Sequence, residues 1–134
     1  MAQKTGRTNA GLRTRVTLTI LVLAAAGLSG CGQKDVSFSA QIQPILETHC
    51  QECHLPGGSG YEASGLELAG YDSLMKGTRF GPIVEPGDPL SSVLNQLVEG
   101  RAHPSITMPH GRNRIPDAEI ALLREWVAQG ARNN

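Results

Sequence analysis

The stretch "THCQECHLPGG", residues 48–58, sets Cys50 and Cys53 at a Cys-x-x-Cys spacing and puts His54 directly after the second thiol. Thiols so spaced serve three different chemistries: a redox disulfide couple, half of a structural zinc site, or a covalent haem anchor. Each makes its own demand on the rest of the chain. A thioredoxin-like couple expects a strand-to-helix junction in a βαβ setting, and no stretch here shows the apolar–polar alternation of a strand. A zinc site needs two ligands beyond Cys50 and Cys53, drawn from His49, His103 and His110. Structural zinc usually takes them as a second closely spaced pair, and His103 and His110 stand too far apart for that. The third chemistry uses all three residues of the motif. Two thiols at this spacing reach the two vinyl groups of a porphyrin, and the imidazole that follows lies over the iron as an axial ligand.

The 134 residues allow one small domain. Aromatic residues make up only 4% and glycines number 16, so the core is modest and a staple such as a metal, disulfide or cofactor is expected. Residues 1–30 carry Lys4, Arg7, Arg13 and Arg15 and no acidic residue, and lead through "VTLTILVLAAAGLSGC", residues 16–31. A basic start, a short apolar run and small residues at its end are the layout of an export signal. The run falls short of the ~20 apolar residues of a transmembrane helix. Leu28-Ser29-Gly30-Cys31 resembles the lipobox of bacterial lipoproteins, which implies cleavage before Cys31 and a lipid on its thiol. Lipidation would also account for the third cysteine, otherwise an odd thiol in an oxidising compartment. In such lipoproteins a residue other than aspartate after the cysteine, here Gly32, implies the outer membrane of a Gram-negative cell.

The expected division is a signal peptide over 1–30, a lipidated tether over 31–37 and a domain over 38–134. Removing residues 1–30 takes away four of the twelve basic residues and none of the twelve acidic ones, leaving a net charge of −4. That argues against nucleic acid, which needs a basic face, and permits a partner with a basic docking patch.

Within the domain, Phe38, Ile42, Ile45, Leu46 and His49 fall at helical spacings, so a helix runs into the cysteines, starting near Gln41 or kinked at Pro44. Residues 55–70 read as loop from their glycines and Pro56. A short helix is expected over 71–76, stopping at Gly77. Asp88 reads as the N-cap of a helix with Pro89 in first position, burying Leu90, Val93, Leu94 and Leu97 and ending at Gly100. Residues 101–116 read as loop. The last helix, 117–129, places Ile120, Leu123, Trp126 and Val127 on one stripe, packed near Ile42 and Leu46, with Gly130 as its cap. Loops this long in a small domain need something to organise them.

Beyond the motif, "IQPILETHCQECH", "GLELAGYDSLMKG", "GPIVEPGDPLSSVL", "MPHG" and "IPDAEIALLREWVAQGA" resemble a planctomycete-type c-type cytochrome domain over roughly residues 38 to 131. The resemblance implies a mainly α, small single-haem cytochrome c-like fold, its short helices joined by long Gly- and Pro-rich loops around the haem. It implies one covalent haem c on Cys50 and Cys53, with His54 and Met108 as the two axial ligands of the iron. It also implies no catalytic residue and no small-molecule substrate. Met75, His49, His103 and His110 are the other candidates for the sixth position, the last two through bis-histidine ligation. The Gly81-Pro82 pair resembles the proline whose carbonyl orients the axial histidine; an ordinary turn is the competing reading. Arg79, Arg112, Arg114 and the Trp126 indole are candidates to meet the haem propionates. Pro116 departs from the family pattern, in which a serine or similar cap is common. The role so implied is electron transfer between redox protein partners on the periplasmic side of a bacterial membrane, held there by the lipid on Cys31. A haem-based sensor or gas-binding protein, and a metal-binding lipoprotein without haem, stay open as alternatives.

Overall fold

The computed structural model describes Met1 and residues 34–134. The expected signal peptide, the lipobox and Gly32 lie outside the described residues. Lys34–Asn134 forms one compact unit and is mainly helical, as expected. Among the described residues there is no strand, only an isolated antiparallel bridge between Thr78 and Gly81. No helix among them is long and apolar enough to cross a membrane.

Residues 34–37, assigned to the tether from sequence, belong to this compact unit. Val36 is buried, its N–H donating 2.7 Å to the Gln129 side-chain oxygen. A π-helical turn, Phe38–Ile42, follows, capped by the Ser37 hydroxyl, which accepts from the Ala40 N–H. Helix α1 (Gln43–His49) starts with Pro44 in its first turn, where a missing N–H breaks no intrahelical bond. Cys50, at φ −124°, ends α1, and α2 (Gln51–His54) restarts from it. The motif therefore sits on a helix break.

Two α-helices differ from the sequence expectation, and a 3-10 turn, Pro104–Ile106, lies within the expected 101–116 loop. Helix α3 (Ser59–Ser64) occupies part of the expected 55–70 loop. It buries none of its own residues, so no apolar stripe announces it. Outside partners hold it: Arg79 donates from its backbone N–H to the Ser64 carbonyl (2.9 Å) and from its guanidinium to the Glu62 carbonyl (2.7 Å). Gly65, in the left-handed region at φ 72°, ends it. The second difference is α5 (Val93–Val98), which begins four residues later than expected. Asp88 does cap, accepting from the Leu90 and Ser91 N–H groups at 3.0 Å each, but it caps a turn. Ser92, at ψ 117°, breaks that turn before the helix starts. Leu90 is left 59% exposed and Val93 40% exposed, so neither is core.

Helices α4 (Tyr71–Lys76) and α6 (Asp117–Ala128) match their expected positions. The α6 stripe of Ile120, Leu123, Trp126 and Val127 is buried throughout. After α6 the Gly130 N–H bonds to the Val127 carbonyl and the Ala131 N–H to the Trp126 carbonyl, both at 2.9 Å. With Gly130 at φ 95°, this is a Schellman termination, and glycine meets its left-handed requirement at little cost. At the other end Pro116 offers no side-chain cap; its carbonyl accepts from the Glu119 and Ile120 N–H groups instead.

The core joins Ile42, Leu46, Leu74, Leu123 and Val127 to an aromatic trio. Trp126 lies 5.5 Å from Phe38 and 6.4 Å from Tyr71 between ring centroids. Each fully buried aliphatic side chain contributes roughly 1.5–3 kcal/mol. The Trp126 indole N–H donates 2.9 Å to the Arg132 carbonyl, which takes it out of the expected candidates for a propionate.

Candidate functional site

Cys50, Cys53, His54 and Met108 line one cavity of about 360 Å³, within the size range of small-molecule and cofactor sites. The α1–α2 break supplies the motif and α3 adds Ser59, Gly60 and Ala63. The α5 residues Val93, Leu94, Leu97 and Val98 join Leu66, Leu68 and Ile83 to form aliphatic walls, and the chain from Met108 to Arg112 completes the lining. This explains the apolar face of α5. Leu94 and Val98 serve core and cavity together, while Val93 and Leu97 face the cavity. A larger, more open hollow of about 570 Å³ runs along Phe38, Gln43, Glu67, Tyr71 and Asp72. It contains none of the motif residues.

Both motif thiols are free and half-buried. Burial, reinforced by the charge of Cys53, pushes the Cys50 thiol up to about 11. Redox-active and zinc-binding cysteines rely on an accessible thiolate, which this environment disfavours. Among the described residues, no three His, Cys, Asp or Glu side chains are grouped as a metal ion would require.

His54 is buried, and burial lowers its pKa below the ordinary imidazole value, opposed in smaller part by the Leu66 backbone. The Leu66 contact lacks standard hydrogen-bond geometry. Nδ1 is sealed from solvent without a hydrogen-bond partner among the described residues, which leaves Nε2 as the nitrogen open to the cavity. Neither carbonyl of the Gly81-Pro82 pair bonds to the His54 ring. The Gly81 carbonyl accepts instead from the Thr78 N–H (2.9 Å) and hydroxyl (3.1 Å), closing an ordinary turn.

Met108 is half-buried, packs on the core and is fixed by its N–H donating 3.2 Å to the Leu97 carbonyl. Its peptide bond to Pro109 is cis. Met75 packs on the same core but does not line the cavity. Of the histidines, His110 and His49 line it, and His103 does not. His103 is exposed and bonded through Nδ1 to Ser105. His49, a sixth-ligand candidate from sequence, donates from Nε2 to the Glu119 carboxylate at 2.7 Å and ties α1 to α6. Of the three arginines, only Arg112 reaches the cavity. It pairs with Glu52 at 2.5 Å, and that carboxylate raises its already high pKa. Arg79 is committed to the Glu62 carbonyl and Arg114 to Asp117.

The residues present are those a covalent haem would use. Two thiols, an imidazole nitrogen and a thioether converge on one aliphatic space. The imidazole is packed so tightly that a Cβ on Gly60 would collide with it. Sequence reading missed Gly60, the α5 wall and the His49–Glu119 link. Compared with protein-family models, curated proteins and solved structures, the chain matches none of them.

Proposed function

We propose that this chain is an electron-transfer protein of the cytochrome c kind, carrying one covalent haem c with His54 and Met108 as axial ligands. One observation carries the reading: Cys50, Cys53, His54 and Met108, scattered over residues 50–108, line the same aliphatic cavity. Bound haem supplies one-electron chemistry between ferrous and ferric iron.

The chain's own residues do the rest. Cys50 and Cys53 would hold the haem covalently, each through one thioether to a vinyl group. His54 would hold the iron through Nε2, the nitrogen left open, and Met108 through its sulfur. With His54 and Met108 both engaged, the iron would be left without a site for a substrate. Leu66, Leu68, Ile83 and Leu94 keep water from the macrocycle, and a thioether ligand holds the potential above that of two imidazoles. Arg112, which lines the cavity while paired with Glu52, would be the arginine to meet a propionate. The signal and lipobox at the start of the chain support a lipid on Cys31 and a periplasmic, membrane-tethered location, with redox proteins as partners.

A reduced-minus-oxidised spectrum with a pyridine haemochrome assay on the exported protein tests this. A c-type haemochrome is expected. Protein that stays colourless when made alongside the haem-attachment machinery would overturn the reading.

A further inference from the structure

Gly60 stands directly against the axial imidazole. A Cβ built there would lie 2.6 Å from Cε1 and 2.7 Å from Nε2 of His54, and 3.0 Å from the Cys53 carbonyl oxygen. All are well inside the ~3.5–4.0 Å of an unstrained carbon contact. Its neighbour Gly58 is as close, with a Cβ falling 2.5 Å from the same carbonyl. The backbone conformation does not require glycine at position 60, which lies inside α3 and outside the left-handed region. Helix propensity would favour alanine there. The His54 ring is therefore what keeps a side chain out. Nδ1 is sealed from solvent, so the ring is enclosed at Nδ1 and bounded by Gly60 at Cε1 and Nε2.

We propose that Gly60 is a positioning residue for His54: the bare α3 backbone pins the imidazole plane and fixes the direction in which Nε2 enters the cavity. The spectroscopic consequence rests on the haem reading above, while the steric pin stands on geometry alone. The device extends to α3, which Arg79 anchors through its backbone N–H and guanidinium.

The test is Gly60→Ala in the full exported chain, compared with Glu62→Gly, which weakens the same helix from its exposed side. Cys50 and Cys53 are untouched, so haem stays attached. The ferric electron paramagnetic resonance spectrum, whose g values follow the axial ligand plane, is expected to shift in Gly60→Ala. It should stay as wild type in Glu62→Gly, which loses only thermal stability. An unchanged spectrum in haem-loaded Gly60→Ala overturns the pin and leaves the haem reading intact.

If the wild type carries no covalent haem, the haem reading fails and accumulation of the folded chain decides the pin. Accumulation also decides it if Gly60→Ala is not recovered. Gly60→Ala should then lower the level in the His54 background and leave it unchanged in a His54→Ala background. Equal losses in both backgrounds overturn the proposal.

Discussion

Two methionines, Met75 and Met108, are matched in burial and packing but differ in what they face, and their alanine substitutions separate packing from ligation. Both are half-buried and both pack on the same core; only Met108 lines the cavity. A fully buried Met→Ala costs ~2–5 kcal/mol, so half burial scales to about 1–2 kcal/mol for each. For a compact unit of this size each 1 kcal/mol lowers Tm by roughly 4–8 °C. Met75→Ala should show that loss alone and keep the weak far-red band of sulfur bound to ferric iron. Met108→Ala should show at least the same loss, abolish the band and lower the midpoint potential, because the thioether favours reduced iron.

The structure also narrows which histidine can replace Met108. His110 and His49 line the cavity and His103 does not, but the His49 Nε2 is engaged by the Glu119 carboxylate at 2.7 Å, which leaves His110. Any bis-histidine spectrum in Met108→Ala should therefore vanish on adding His110→Ala and survive His103→Ala. The assays are absorbance, redox titration and thermal melting on the same preparations. Loss of the band in Met75→Ala, with Met108→Ala unaffected, would refute the assignment.

Leu46→Ala, at a fully buried core position, should cost about 2–5 kcal/mol in chemical denaturation while leaving any haem spectrum unchanged. In chain made without haem attachment, the Cys50 thiol, raised to about 11 from an ordinary 9.0, should alkylate ever faster as pH rises between those values. A rate that levels off at the ordinary value contradicts its burial. Cys31→Ser should release the domain to the soluble fraction or leave an uncleaved precursor. Mass spectrometry of the wild-type mature N-terminus should find a lipidated cysteine, and an unmodified residue there rules lipidation out.

The parts of the fold legible in sequence were those where one local signal sufficed. Helix α6 has a four-residue apolar stripe and a glycine where a left-handed cap is needed, and both are used as expected. Helix α4 stops at Gly77 for a similar reason. Helix α3 was invisible because nothing in "SGYEAS" is buried; it is held in part by hydrogen bonds from Arg79, distant in sequence. Composition cannot tell a glycine needed for its φ from one needed for its missing side chain, so Gly60 read as loop. The face of α5 was legible as apolar but not as divided, since core and cavity both select aliphatic residues. In the site itself, the motif was local and plain. Met108 was singled out by its place before Pro109 and by the resemblance together, while the His49–Glu119 link, Leu66 and Gly60 needed the packed structure.

The central claim is that Cys50 and Cys53 hold a haem covalently, and the mass of the denatured, exported chain tests it most directly. The wild type should exceed its mature polypeptide, lipid included, by the mass of one haem. The Cys50→Ala, Cys53→Ala double variant should lose that increment. A wild-type chain of bare mature mass, or a double variant that keeps the increment after denaturation, would contradict the assignment.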